Sequence, residues 1–248
     1  MPRLILRYTT LLALLLGWPA QAADLTVSAA ASLTDAFTEI AENYQRERPD
    51  TRVLLNVGAS GALLQQIARG APVDVFASAD QETMGRAVQM GLVQASARRD
   101  FTANSLVLAV PADSRQTLTG LDDLLDVGVR RVAIGNPDSV PAGRYGKQAL
   151  QAAGLWEELQ GKLVGTQNVR QALGYLAMGE VDAALVYETD ARSMPDKVRI
   201  LWQVPVATAI RYPIAATADS SAEAARFVDY VLSADGQAVL GRHGFLKP

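Results

Sequence analysis

The chain has 248 residues, 49% of them hydrophobic and 20% charged, with a formal net charge of −3. That is enough apolar material for one large domain or two lobes and too little charge for a disordered chain. With no basic patch and no cysteine, nucleic-acid binding, adhesion to an anionic membrane, disulfides, thiolate chemistry and a cysteine-linked lipid anchor are not expected.

In chain order, Arg3 and Arg7 precede an apolar run from Leu11 to Gly17, and Ala20-Gln21-Ala22 supplies an A-x-A cleavage signal. The run is too short to span a bilayer, so residues 1–22 read as a cleaved secretory signal and the mature protein as soluble and periplasmic. Loss of Arg3 and Arg7 moves the charge from −3 to −5.

Strands and helices then alternate. Leu25–Ala29 is a predicted strand, and Leu33, Phe37, Ile40, Ala41 and Tyr44 stripe a helix at spacings of three and four. Strand 52–57 leads to a helix striped by Leu63, Leu64, Ile67 and Ala68; strand 73–77 leads to a helix over 80–90. Strand 104–110 (NSLVLAV) opens a second region with strands at 131–134, 163–166, 183–187 and 198–203 and helices at 143–153 and 169–178. Strand 212–217 (YPIAAT) and helices near 222–232 and 236–242 close the chain. Repeated βα units predict an α/β protein with mixed, mostly parallel sheets. Two lobes would be joined by strands, with NSLVLAV and YPIAAT as the crossings.

Ligands of open α/β sheets sit at the carboxyl ends of strands, where helices begin. Five such ends stand out: AAASLTDAF with Ser32, VGASGALLQQI with Ser60, VPAG with Ala142, NVR with Val169, and Tyr187 ending DAALVY. Each has an ordinary structural role as well. Ser32 and Ser60 suit helix N-caps, Asp35 completes a capping box with Ser32, and Tyr187 suits half-buried packing. A serine can accept from its helix and still donate its proton. Helix N-termini favour anions. Brought together, these groups would form a site of neutral donors only.

Enzyme signatures are sparse. His243, the only histidine, falls in the last turn of the final helix, where a cation suits the dipole. A Ser-His-Asp triad would have to recruit it from far along the chain. Asp74, Asp80 and Asp138 have nothing to mark them as an acid/base pair, and Asp122-Asp123 reads as solvated.

The ordered set AAASLTDAF, GASGALLQQI, APVDVFASADQ, NSLVLAV, VPAGRYGKQAL, NVRQAL, LVYETDA and YPIAA resembles the periplasmic molybdate-binding proteins of bacterial ABC importers over the whole mature chain. The resemblance implies the two-lobed periplasmic binding protein fold with two strand crossings, lobe one at 23–104 and 212–248 and lobe two at 105–211. It implies no catalytic residue and no cofactor. The expected ligand is molybdate or tungstate, held by the hydroxyls of Ser32, Ser60 and Tyr187 and the N–H groups of Ala142 and Val169. All five would contact the oxyanion oxygens and not the metal. The implied partners are the permease and ATPase of the importer, served by a monomer. Gly61 is a departure, since some members have a polar residue there, and Arg144 reads as a surface charge. Sulfate binding by the same fold and a secreted serine hydrolase using Ser32 or Ser60 are the alternatives.

Overall fold

A computed structural model describes residues 22–248; all of the expected signal segment except Ala22 lies outside the described residues. The first unit runs β1 (Ala23–Ala30), α1 (Thr34–Glu47), β2 (Thr51–Gly58), α2 (Ser60–Ala68), β3 (Val75–Ala77), α3 (Gln81–Gln89) and β4 (Arg99–Asn104). The second runs β5 (Leu106–Pro111), β6 (Val132–Gly135), α4 (Pro141–Ala152), β7 (Leu163–Thr166), α5 (Val169–Ala177), β8 (Ala183–Tyr187), α6 (Glu188–Arg192) and β9 (Val198–Gln203). β10 (Ile210–Ala216), α7 (Ala222–Leu232) and α8 (Ala234–Arg242) return to the first.

The strands form two five-stranded sheets, ordered β2-β1-β3-β10-β4 and β7-β6-β8-β5-β9. In each sheet one strand, β10 or β5, pairs antiparallel with both neighbours, and the other strands share one direction. The mixed, mostly parallel α/β reading is therefore correct. The reversed strands are those on which the chain arrives from the opposite sheet, so direction is set by the passage between sheets.

The first passage falls inside NSLVLAV as expected, and the second does not fall in YPIAAT. NSLVLAV is broken at Ser105, with Asn104 ending β4 in one sheet and Leu106 starting β5 in the other. The YPIAAT strand pairs only within the first sheet, and residues 204–209 carry the second passage. Alternation of apolar residues reports a buried strand and does not report which sheet it joins.

Helix α1 buries Ala36, Phe37, Ile40, Ala41 and Tyr44, the stripe its spacing predicts. Phe37 stands edge-on to Phe101 at 5.8 Å and to Phe227 at 6.3 Å, tying α1 to β4 and α7. Tyr212 of β10 stacks against Phe101, Phe245 and Tyr187 of β8 at 6.4, 5.7 and 5.7 Å. This aromatic chain joins the two sheets beneath the cleft, and each pair adds about 0.5–1.5 kcal/mol beyond area burial.

Candidate oxyanion site between the sheets

The strand-to-helix turns of both sheets face one another. Ser32 lies in a 3-10 turn, Ala31–Leu33, between β1 and α1. The expected capping box does not form: Leu33 occupies the N-cap position of α1 without a side-chain cap bond. The extra turn lifts Ser32 off the helix end, and its Oγ sits 3.0 Å from Tyr212 Oη. Asp35 instead accepts from Arg170 Nη2 at 2.7 Å.

Ser60 is likewise not a cap. The N-cap position of α2 belongs to Ala59, and Ser60 is the first helical residue. Its Oγ accepts from the Ala79 N–H at 3.0 Å. On the facing sheet, α4 opens with Pro141, whose fixed φ suits the first helical position. Ala142 follows, and its N–H belongs to the first turn, which has no intrahelical partner. Gly143 makes this turn possible, because a Cβ there would lie 1.8 Å from the Gly135 carbonyl oxygen. Asn168 caps α5 by accepting from the Gln171 N–H at 3.0 Å, leaving the Val169 N–H at the open end. Tyr187 ends β8, and its hydroxyl donates to the Ala79 carbonyl at 3.4 Å, a long bond.

Ser32, Ser60, Ala142, Val169 and Tyr187 are all buried and line one small cavity. No charged side chain lines it, and the one carboxamide in the wall, Asn168, has its Oδ1 turned to its own cap. Burial holds the Tyr187 phenol well above its usual pKa, so it stays protonated and able to donate. Helices α2, α4 and α5 begin at the wall, so three N-termini face the cavity. Hydroxyls and helix N-termini gathered in this way are chemistry that suits a small anion.

Charges flank the cavity without entering it. Arg144, expected on the surface, is only 14% exposed, and its guanidinium meets the Asp80 carboxylate. Its Nε lies 3.3 Å from Glu82. Asp80 is doubly used, because it also caps α3 through the Thr83 N–H at 3.0 Å. Arg170 donates to Asp190 at 2.6 Å while holding Asp35. Arg144 with Asp80 and Arg170 with Asp35 bridge elements of the two sheets, whereas Arg170 with Asp190 joins α5 to α6 within the second. Desolvation pushes the Asp190 carboxyl up to about 6, against the pull of Arg170. His243 holds Glu39 at 2.8 Å.

Sequence reasoning missed Tyr212, Asn104 and the Asp80–Arg144 pair as parts of the site's surroundings. Tyr212 and Asn104 stand inside recognised motifs, but only their partners reveal a role.

Residues 25–246 match the family model described as bacterial extracellular solute-binding protein. The chain is 36% identical to the putative ABC transporter substrate-binding lipoprotein YvgL of Bacillus subtilis (strain 168), over 89% of this chain and 85% of that one. It is 35% identical to the molybdate-binding protein ModA of Escherichia coli (strain K12), over 89% of this chain and 88% of that one. Among solved structures, the periplasmic molybdate-binding protein of Azotobacter vinelandii superposes with a TM-score of 0.81 at 25% identity, covering 90% of this chain and 99% of that one.

Proposed function

Because the chain belongs to the bacterial extracellular solute-binding protein family, we propose that it captures molybdate, and tungstate with it, in the cavity between the sheets. The observation that carries this reading is the gathering of Ser32, Ser60, Ala142, Val169 and Tyr187 around one buried, uncharged cavity. Ser32 and Ser60 donate through hydroxyls, Tyr187 does so by exchanging its long bond to the Ala79 carbonyl for the anion, and Ala142 and Val169 donate through backbone N–H. The oxyanion oxygens receive these bonds, and the helix N-termini balance the dianion's charge without a counter-cation.

Lobe one is residues 23–104 and 210–248 and lobe two 106–203, because Ile210 and Arg211, expected in lobe two, pair with Asn104 and Ala103 in the first sheet. The anion collects Ser32 and Ser60 in the open cleft, and closure brings in the other three donors. Ser105 and residues 204–209 are the hinge, since among the described residues only there does the chain pass between the sheets. Contacts made only in the closed form drive closure. The closed monomer then delivers the anion, in the periplasm, to the permease and ATPase of an ABC importer.

The hydrolase alternative needs a serine bonded to His243. Ser32 faces Tyr212, Ser60 faces the Ala79 N–H, and His243 holds Glu39, so the binding-protein reading, with no catalytic residue and no cofactor, is favoured. Calorimetric titration of the mature protein with molybdate tests it, alongside melting shifts with tungstate, sulfate and phosphate. Molybdate and tungstate are expected to raise Tm. Phosphate is not, because its retained proton would be buried without an acceptor. A phosphate shift equal to that of molybdate contradicts the donor-only site, and no binding of molybdate contradicts the function.

A further inference from the structure

We propose that Tyr212 and Asn104 are positioning residues that lock Ser32 as a donor toward the bound anion, and so help the site prefer fully deprotonated oxyanions. The inference rests on the reading of the cavity as the oxyanion site. Neither residue is in the cavity wall; both act through Ser32.

The direction of the chain is set by a backbone group. The Ser105 N–H, which can only donate, points at one end of the Asn104 carboxamide at 2.9 Å. That end is therefore Oδ1 and the other is the NH2 group. Its two hydrogens are directed to Thr189 Oγ1 at 2.8 Å and Tyr212 Oη at 3.2 Å. The Tyr212 hydroxyl accepts from Asn104, so its single proton goes to Ser32 Oγ, 3.0 Å away. Burial of Tyr212 disfavours the phenolate, which keeps that proton in place. Ser32 then accepts on its buried side and has its own proton left for the cavity. Ser60 is polarised the same way by a different donor, the Ala79 N–H at 3.0 Å.

The two serines are thus set by unlike devices. The Ala79 N–H cannot be reversed, whereas the Ser32 relay depends on two side chains. It also starts at Ser105, the residue between the sheets, so the groups fixing Ser32 sit at the proposed hinge. Removing the Tyr212 hydroxyl frees Ser32 to rotate and offer a lone pair to a protonated oxyanion. Replacing Asn104 by aspartate puts an acceptor against Tyr212 Oη and draws its proton away from Ser32.

The test is calorimetric titration of the wild type, Tyr212→Phe, Asn104→Asp and Ser32→Ala with sodium molybdate and sodium phosphate at pH 7. Phenylalanine at 212 keeps the ring packed on Phe101, Tyr187 and Phe245. Tyr212→Phe and Asn104→Asp are expected to weaken molybdate binding and to narrow the ratio of phosphate Kd to molybdate Kd by roughly tenfold or more, the scale of one charge-assisted hydrogen bond. Ser32→Ala is expected to weaken molybdate without narrowing the ratio, because it offers no lone pair. A general structural effect would weaken both anions together. If Tyr212→Phe does not fold by circular dichroism, Asn104→Asp decides by the same ratio. An unchanged ratio in the folded variants overturns the relay alone. A wild type that does not bind molybdate overturns the functional reading and the relay with it.

Discussion

Gly61 and Ser139 meet backbone to backbone across the cleft: the Gly61 N–H donates to the Ser139 carbonyl at 2.9 Å, and a Cβ on residue 61 would stand 2.7 Å from that same oxygen. The first belongs to α2 beside one sheet and the second to the turn before α4 beside the other. The glycine, a departure from those members of the resembled family that have a polar residue there, is what allows the two turns to touch. Gly61→Ala puts a methyl group against backbone atoms that have no rotamer to move. The strain falls on the closed arrangement and is of order 1–3 kcal/mol. Molybdate affinity is expected to drop roughly tenfold or more, with little change in Tm without ligand. Calorimetry and thermal unfolding check this, and an unchanged Kd contradicts it.

The serines separate affinity from stability. Each charge-assisted bond to a dianion is worth about 1.5–3 kcal/mol, so Ser32→Ala and Ser60→Ala are each expected to weaken molybdate binding about tenfold or more. Neither loses a helix cap, since neither is one. Ser60→Ala also strands the buried Ala79 N–H and is expected to cost about 1–3 kcal/mol of stability. Urea unfolding and titration of both variants measure the two effects, and unaltered affinity in both removes these residues from the site.

Val169→Pro isolates the backbone donor. Proline has no N–H, but it is tolerated at the first helical position. Asn168 is already extended, at φ −160° and ψ 171°, as the residue before proline requires. The expected protein is folded and binds molybdate poorly. Tight binding by a variant with a native circular dichroism spectrum contradicts the role of this N–H.

Asp190 gives a pH dependence with a definite sign. Its carboxyl is fully buried, Oδ2 has no hydrogen-bond partner among the described residues, and burial raises the pKa from 3.8 to about 6. The folded state therefore holds this proton over a range where the unfolded chain releases it. The contribution to stability is highest below about pH 4, falls as pH rises to about 6, and levels off above; the total change is about 3 kcal/mol. Asp190→Asn removes that fall. The difference in unfolding free energy between wild type and variant, from urea titrations at pH 4 to 7, is expected to shrink or reverse as pH rises. A difference that stays constant across the window contradicts the assignment.

Local periodicity was sufficient for the architecture. The three-and-four spacing of Phe37, Ile40, Ala41 and Tyr44 and the apolar run Ala183–Tyr187 each report burial relative to their own backbone. Two sets of alternating strands and helices follow from such runs, and the strand ends bearing Ser32, Ser60, Ala142, Val169 and Tyr187 were legible as places where donors could collect. That these five line one cavity required the two sheets to face one another.

What only the tertiary structure decided are the pairings between distant positions. Ser32 and Tyr212 are 180 residues apart, Arg144 and Asp80 are 64 apart, and Arg170 and Asp35 are 135 apart. Read locally, Ser32 was a cap, Arg144 a surface charge and Asp35 half of a capping box, because propensity weighs a residue only against its own helix. Each of those bonds was given up for a partner brought in by sheet order. A hydroxyl or carboxylate buried at an interface must be satisfied by whatever group faces it there, and which group that is depends on strand order and on where Ser105 and residues 204–209 turn the chain from one sheet to the other.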